Sequence, residues 1–333
     1  MQNELLYKMQ DAFPLAPRPF RILADELNAA EDDIISLVQK LKEQKIIRQT
    51  SAIFDTKRLG YASSLVAFKV PQNNVDKVAA LINTHPGISH NYLRDHEFNI
   101  WFTLAVPPES KLGLEKTVEL LAKKAGIENF IILPTLKMFK ISVKMDTTGT
   151  QCKKEKVKKA VYKNLELTPQ HIAIIKALQN DIQIIKEPFK KIADQLNLSY
   201  NAFFDLVKEL SESGIMRRFA TILNHRKAGF AANAMSVWAV PEEQAEAIGK
   251  EIASFSAVSH CYLRPSYPNW PYNLFAMVHA KTQEECDAII DEIAQETGLK
   301  EYGKLYSTVE FKKQRIVYFD DAFEAWEEGI VGR

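Results

Sequence analysis

Two short strings concentrate the side chains able to do chemistry. The first is His90-Asn91-Tyr92-Leu93-Arg94-Asp95-His96-Glu97-Phe98-Asn99-Ile100-Trp101. Residues two apart on a strand share a face, so an extended chain here sets His90, Tyr92, Arg94 and His96 side by side. An imidazole exchanges protons near neutral pH or ligates a metal, and a guanidinium clamps carboxylates through parallel hydrogen bonds. Asp95 falls on the other face, so the set suits an anionic substrate better than an all-protein metal cage. A polar strand satisfied by solvent or by the core is the plainer alternative. The second string is His260-Cys261-Tyr262-Leu263-Arg264-Pro265-Ser266-Tyr267-Pro268-Asn269-Trp270-Pro271-Tyr272-Asn273. It keeps His260, Tyr262 and Arg264 but has no counterpart of His96, because Pro265 and Pro268 interrupt a ladder and turn the added residues into a loop. Tyr267, Trp270 and Tyr272 either wall an apolar pocket for a flat ligand or pack that loop. Arg48, Arg217 and Arg218 fall at junctions between modules, where each taken singly reads as a surface residue before it reads as a site residue. His85, His171 and His279 stand outside any cluster and read as structural.

The elements that must hold these residues occur twice. Pro19 to Asn28 returns as Pro188 to Asn197, 169 residues later, and Ile46-Ile47-Arg48 returns as Ile215-Met216-Arg217 at the same offset. Ile88 to Arg94 then matches Val258 to Arg264, so the chain is two copies of one unit of roughly 150 residues. In each copy, apolar residues at helical spacing (Leu23, Leu27, Ile34, Val38, Leu41; Ile192, Leu196, Phe203, Val207, Leu210) flank a tight Asn-containing turn, predicting a helix-turn-helix. The β-rich stretches Ile46 to Phe54 and Ile215 to Leu223 read as wings. In the first copy there follow strand Ser63–Val70, helix Val75–Thr84, strand Ser89–Arg94, strand Asn99–Val106, helix Lys111–Lys124 and strand Phe130–Val143. The second copy repeats them from strand Ala234–Val240 to strand Leu305–Phe319. This is an α+β chain, a tandem duplication of a helix-turn-helix module plus a ferredoxin-like βαββαβ domain whose helices cover one sheet face and leave the other free. The expected segments are helix-turn-helix modules at 1–61 and 167–230, ferredoxin-like domains at 62–145 and 231–320, a lysine-bearing linker at 146–166 and a peripheral acidic tail at 321–333.

Composition narrows the function. The 333 residues are 46% hydrophobic and 26% charged, and Lys+Arg 43 against Asp+Glu 42 leaves a net charge of +1, so no global field draws the chain to nucleic acid or anionic lipid. The second helix of the first helix-turn-helix opens on Glu31-Asp32-Asp33, which would repel phosphate, so DNA is not the expected partner. No GxGxxG or GxxxxGK[ST] occurs, which argues against dinucleotide and P-loop chemistry. Cys152, Cys261 and Cys286 are scattered, arguing against a disulfide framework or zinc site. With no eighteen-residue apolar run and no charged-then-apolar leader, neither a membrane nor secretion is expected, and the location reads as cytoplasmic.

The helix-turn-helix followed by βαββαβ resembles the Lrp/AsnC regulator architecture. Within it, Arg48-Gln49-Thr50-Ser51-Ala52-Ile53-Phe54-Asp55, Leu59-Gly60-Tyr61, His90-Asn91-Tyr92-Leu93-Arg94 and Asn99-Ile100-Trp101-Phe102-Thr103 are similar to the sirohaem decarboxylase branch. His260-Cys261-Tyr262 and Asn269-Trp270-Pro271-Tyr272-Asn273 resemble that branch's other subunit type. The similarity runs over nearly the whole chain, as in the fused NirDL type related to the separate AhbA and AhbB chains. It implies a carboxy-lyase that removes carbon dioxide from the C12 and C18 acetates of sirohaem, giving 12,18-didecarboxysirohaem in haem d1 or alternative haem biosynthesis. No separate cofactor is implied, because the iron tetrapyrrole is the substrate and its conjugated ring takes up the electron pair. The resemblance further implies that Arg94 and Arg264, with Arg48, Arg217 and Arg218 as secondary candidates, bind carboxylates, and that His96, Trp270 and Tyr272 contact substrate. His90 and His260 would donate protons or ligate the substrate iron, assisted by Tyr92 and Tyr262. The halves should pair as an intramolecular pseudo-dimer able to assemble into a homodimer. The rivals are a DNA-binding Lrp/AsnC-type regulator sensing a small molecule or haem, and a tetrapyrrole carrier without catalysis.

Overall fold

The computed structural model describes residues 1–141, 162–224 and 232–331. Its first copy runs α1 (Gln2–Asp11), α2 (Pro19–Glu26), α3 (Glu31–Glu43), β1 (Ile47–Phe54), β2 (Ala62–Phe68), α4 (Val75–Asn83), β3 (Ile88–Arg94), β4 (Ile100–Val106), α5 (Gly113–Ala125), β5 (Phe130–Pro134) and β6 (Lys137–Ile141). The second runs α6 (Pro169–Leu178), α7 (Pro188–Gln195), α8 (Tyr200–Glu212), β7 (Met216–Leu223), β8 (Ala232–Trp238), α9 (Ala245–Ser254), β9 (Val258–Leu263), β10 (Leu274–Ala280), α10 (Gln283–Thr297), β11 (Tyr302–Lys313) and α11 (Ala322–Val331). Most of the expected linker, with Cys152 and the lysines up to Lys159, lies outside the described residues. Like associates with like: residues 1–59 group with 162–224, and 60–141 group with 232–331.

In the helical unit, Pro19 and Pro188 open α2 and α7, where the missing N–H costs nothing. Asn28 and Asn197 take the left-handed backbone, φ 51° and 53°, that turns the chain into the next helix, a conformation asparagine tolerates. A helix not anticipated from the sequence, α1 or α6, precedes each pair. The wings are a misreading. Each copy has one strand and nothing of its own to pair it with, so β1 and β7 pair antiparallel with each other. The equivalent residues Ser51 and Ala220 face one another, marking a local twofold, and Thr50 and Thr221 share a buried hydrogen bond of 2.8 Å beside them. The same symmetry engages the start of each second helix with the other copy. Asp32 pairs with Lys186 at 2.9 Å, and the Tyr200 hydroxyl donates to the Pro17 carbonyl. Glu31 is buried and paired with Arg18.

The second unit is a nine-stranded sheet ordered β5-β2-β4-β3-β11-β8-β10-β9-β6. Helices α4 and α5 pack on one face of the first half through Val78, Ile82, Val118 and Leu121. Helices α9 and α10 do the same in the second half through Ile248, Ile252, Ile290 and Ile293. The faces away from the helices are not free. Ala67, Trp101, Ile131 and Leu133 of the first half meet Val237, Trp270, Phe275 and Leu305 of the second in one apolar layer. Burying an indole there contributes roughly 4–6 kcal/mol by area. The last strand of each copy is also not the single ribbon expected. Phe130–Pro134 completes the first half's sheet on β2, then after Thr135 and Leu136 the chain pairs as β6 with β9 of the second half. Reciprocally, Tyr302–Tyr306 of β11 pairs with β8 and Ser307–Lys313 with β3. This strand begins at Tyr302 and ends at Lys313 rather than running from Leu305 to Phe319. Two lysines, Lys140 buried and Lys312 half-buried, fasten the exchange: Lys140 Nζ donates to the Phe255 carbonyl at 2.9 Å and Lys312 Nζ to the Asn83 carbonyl at 3.1 Å, each at the end of the other half's helix.

The acidic tail is not peripheral. Its residues Phe323, Trp326, Glu327 and Ile330 recur at helical spacing, and α11 lays them on the first half. Phe323 and Glu327 are 5% and 8% exposed. Glu327 accepts from the Ser110 hydroxyl and the Lys111 N–H, while Trp326 stands 4.3 Å from the His85 ring and donates to Thr84.

Two expected outcomes follow from this packing. Glycine in a helix is ordinarily worse than alanine by about 1 kcal/mol, but a Cβ on Gly249 of α9 would stand 2.4 Å from the buried Phe139 ring of β6. Gly249→Ala should therefore destabilise, by about 1–3 kcal/mol, read as a lower urea midpoint at constant slope; stabilisation would show that the ring yields. The His85 imidazole, whose Nδ1 accepts the Gly87 N–H, is pushed down to about 3 from 6.5, first by burial and then by Lys312. The unfolded chain takes up that proton below pH 6.5 and the folded chain does not, so stability is full above 6.5 and drains as pH falls toward 3. This residue should cost roughly 2 kcal/mol between pH 6.5 and 5, and chemical denaturation of His85→Gln should show a shallower pH slope.

Candidate active site

Strand β3 pairs with β4 so that Tyr92 faces Trp101 across the ladder and Ala67 lies beyond it on β2. Tyr92 therefore belongs to the face that meets the other half, and Asn91 to the helix-covered face, where it donates to the Ala79 carbonyl and to Asn83. Along that inner face the His90 and Tyr92 rings lie 6.0 Å apart at 30°, and the Arg94 guanidinium carbon is 5.6 Å from the Tyr92 centroid. The second copy reproduces the row on β9. His260 and Tyr262 are 6.0 Å apart at 36°, and Arg264 lies 4.9 Å over Tyr262 and 5.5 Å from Phe275. The structure thus brings together His90, Tyr92 and Arg94, and likewise His260, Tyr262 and Arg264.

Both arginines are buried, 6% and 8% exposed. Arg94 Nη1 donates to the Leu305 carbonyl at 2.6 Å and Arg264 Nη1 to the Leu133 carbonyl, so each reaches from its own half to the other's last strand. The Nε–H groups of both are buried without an acceptor, and among the described residues neither guanidinium pairs with a carboxylate. Burial draws both down to about 10, opposed by the neighbouring tyrosine in each case, which leaves them protonated at neutral pH. An uncompensated buried cation costs several kcal/mol, and an incoming anion removes that cost.

His96 departs from the expected row. The Arg94 N–H closes on the Asn99 carbonyl and the His96 N–H on the Arg94 carbonyl, so the strand ends at Arg94 and His96 sits in the turn beyond. Its Nδ1 accepts the Phe98 N–H, and its ring meets Trp270 edge-on at 5.2 Å. Burial holds it below the usual imidazole range, with Glu97 opposing. Trp270, 1% exposed, anchors the inter-sheet layer against Trp101 at 5.1 Å and Tyr272 at 5.0 Å. Its indole N–H is buried without an acceptor. Reciprocal main-chain bonds between Tyr267 and Trp270 close the inserted loop, and the Tyr267 hydroxyl donates to the Ile132 carbonyl.

Arg48, Arg217 and Arg218 belong to the helical unit. Arg217 forms an ion pair with Asp55 at 2.8 Å, and Arg218 donates to the Gln10 carbonyl. Burial lowers Arg218, Asp11 opposing and Arg217 adding to the effect. Arg48 is exposed on β1. Asn99 and Asn273, prominent in the strings, are structural: each amide brackets the main chain of Val70 or Val240 with two hydrogen bonds. Among the described residues no three His, Cys, Asp or Glu side chains converge as a metal site, and no helix is long and apolar enough to cross a membrane. Burial raises the Cys261 and Cys286 thiols to about 12 and about 11, which makes them poor nucleophiles.

Sequence reasoning missed the residues behind the histidines. The Ser89 hydroxyl touches His90 Nδ1 at 3.0 Å and Thr103 Oγ1 at 2.6 Å, and the Ser259 hydroxyl touches His260 Nδ1 at 2.8 Å and His279 Nε2 at 2.7 Å. The available signal was a serine directly before the histidine in both copies.

Comparison with known proteins agrees with this duplicated arrangement. Residues 58–140 and 227–312 match the AsnC-like ligand binding domain, and residues 2–48 and 171–217 match the siroheme decarboxylase NirDL-like helix-turn-helix domain. A siroheme decarboxylase of Hydrogenobacter thermophilus is 41% identical over 99% of this chain and 98% of its own. The siroheme decarboxylase NirDL subunit of Paracoccus denitrificans is 31% identical over 93% and 94%. The crystal structure of the siroheme decarboxylase NirDL in co-complex with an iron-uroporphyrin III analogue superposes with a TM-score of 0.78 at 36% identity, covering 100% of this chain and 99% of that one. Two helix-turn-helix modules, two AsnC-like domains and full-length relatives at this identity converge on one conclusion: the chain belongs to the sirohaem decarboxylases, carboxy-lyases, in their fused NirDL form.

Proposed function

We propose that this chain binds sirohaem and removes carbon dioxide from its C12 and C18 acetates, yielding 12,18-didecarboxysirohaem for haem d1 or alternative haem synthesis. The observation that carries this reading is the pair of buried, protonated guanidiniums, Arg94 and Arg264, with no carboxylate among the described residues to neutralise either. A substrate with carboxylates at its rim supplies the missing charges, and each charge-assisted hydrogen bond formed is worth roughly 1.5–3 kcal/mol. The relative crystallised with an iron-uroporphyrin III analogue supports a ligand of this class.

In the reaction, the bond between the acetate methylene and its carboxylate breaks, carbon dioxide leaves, and the electron pair enters the conjugated ring. A proton then converts the methylene to a methyl group, so each decarboxylation consumes one proton and needs neither oxidant nor reductant. His90 and His260 are the proton donors or the axial ligands of the substrate iron, roles that both use a ring nitrogen. Tyr92 and Tyr262 lie between each histidine and arginine and hold the guanidinium against an aromatic face. His96, Trp270 and Tyr272 form one aromatic group that serves substrate binding from the first half's turn and the second half's loop. Arg217, already neutralised by Asp55, together with Arg218 and Arg48, has a secondary part in carboxylate binding.

Anaerobic incubation with sirohaem followed by mass spectrometry should show successive loss of one and then two carbon dioxides; tight binding at unchanged mass would leave a carrier instead. Arg94→Met and Arg264→Met should each slow turnover by about ten- to hundredfold and weaken sirohaem binding in absorbance titrations. Unchanged turnover in both would remove the assignment of these arginines as carboxylate anchors.

A further inference from the structure

The two His-Tyr-Arg rows are alike in geometry and unlike in what lies behind the histidine. In the second half, Ser259 is buried and its hydroxyl sits between two imidazoles, 2.8 Å from His260 Nδ1 and 2.7 Å from His279 Nε2. His279 lies on β10 on the same sheet face as Phe275 and Met277, which pair with Tyr262 and His260 across the ladder. The residue as a whole keeps partial solvent exposure. In the first half the corresponding serine, Ser89, touches His90 Nδ1 but turns its other side to Thr103 Oγ1, which itself accepts the His90 N–H at 3.2 Å. The place of His279 is taken by Ala105: the Ala105 N–H bonds the Gly87 carbonyl as the His279 N–H bonds the Ala257 carbonyl, both at 3.0 Å. The first chain of hydroxyls thus ends on the main chain and contains no second titratable group.

We infer that His260, supplied through Ser259 and His279, is the proton-delivering histidine, and that the first-half row serves binding. This rests on the decarboxylase reading and decides between its two equivalent histidines. When His260 gives its Nε2 proton to the substrate carbon, its Nδ1 takes the Ser259 hydroxyl proton. Ser259 takes the Nε2 proton of His279, and His279 regains one at Nδ1 from water. One proton enters at water and one leaves on the methyl group, and each imidazole ends neutral with its tautomer exchanged; both return to the Nε2–H tautomer by proton exchange with water, and the serine hydroxyl rotates back, before the next turn. Burial, with the Lys313 charge adding, holds His279 down at about 4. It therefore stays neutral at working pH and passes protons along rather than storing one. Ser259 and His279 are positioning and relay residues; neither is assigned contact with substrate.

The test uses the full-length protein in the anaerobic sirohaem assay with steady-state rates. Wild-type turnover establishes the decarboxylase reading first, and its absence would sink that reading without bearing on the relay. Ser259→Ala and His279→Gln should each lower kcat by about ten- to hundredfold, the usual worth of a positioned proton-transfer group, while KM and the sirohaem absorbance titration stay at wild-type values. Ser259→Thr, which keeps the hydroxyl, should restore most of the rate, a rescue that a merely structural serine would not show. Ser89→Ala should cost at least about tenfold less than Ser259→Ala. Wild-type kcat in Ser259→Ala or His279→Gln, or equal losses in the Ser89 and Ser259 variants, would overturn the inference.

Discussion

The exchange of last strands puts a carbonyl of each half within reach of the other half's buried arginine. Leu133 lies on β5 just before the chain crosses to β9, and Leu305 lies on β11 just before it crosses to β3. Without these crossings the inner sheet faces would have no partner, and Trp101, Trp270 and Phe275 would lie open to water. The two guanidiniums would also lose the acceptors that hold them in a low-dielectric layer. Neither half can satisfy its own polar groups. Lys140 needs a carbonyl at the end of α9, and Lys312 needs one at the end of α4. Carrying both halves on one chain makes this pairing intramolecular, so it does not depend on protein concentration.

Those acceptors only partly offset the cost of burying two cations. A carbonyl satisfies one N–H of a guanidinium and leaves its charge, and both Nε–H groups stay unpaired. A core selected for stability alone would place apolar residues at these positions. The neighbours are aromatic: Tyr92, Tyr262 and Phe275 offer ring faces to the cations, which recovers part of the lost hydration. The layer is therefore at once the structural centre of the duplicated domain and an electrostatic demand that only an anion meets.

Much of this was legible in the sequence, and what was not has a common cause. The duplication, the helix-turn-helix asparagines and the order βαββαβ follow from spacing, because helix and strand periods are local properties. The rows His90, Tyr92, Arg94 and His260, Tyr262, Arg264 follow from the period of two. Partner choice is not local. Nothing in Ile47–Phe54 says that it pairs with Met216–Leu223 rather than folding back as a wing, and nothing in Phe130–Ile141 says that it changes sheets midway. His96 was placed on the ladder because alternation alone does not show where a strand stops; the turn closed by Asn99 ends it. The tail was misjudged by composition, since its glutamates masked the Phe323, Trp326, Ile330 stripe that docks α11. His279 reads as structural in the sequence because its contact with Ser259 joins adjacent strands, and sequence places it far from His260.

Fusion also permits what a homodimer cannot. Two identical subunits would carry the same residue behind each histidine, so a relay gained on one side would appear on the other. Here the copies share the strand exchange, the cross-half arginines and the cross-half lysines, and differ in the groups around each histidine. The first half has His96 in a short turn and Ala105 behind its serine; the second has the proline-rich loop bearing Trp270 and Tyr272, and His279 in place of the alanine. The symmetric features are those that must be satisfied twice for the sheet to close; of the asymmetric ones, Trp270 also belongs to the inter-sheet layer, whereas Ala105 and His279 lie outside it. A duplicated scaffold on one chain can thus keep its strand exchange and still diverge in the polar groups behind each histidine.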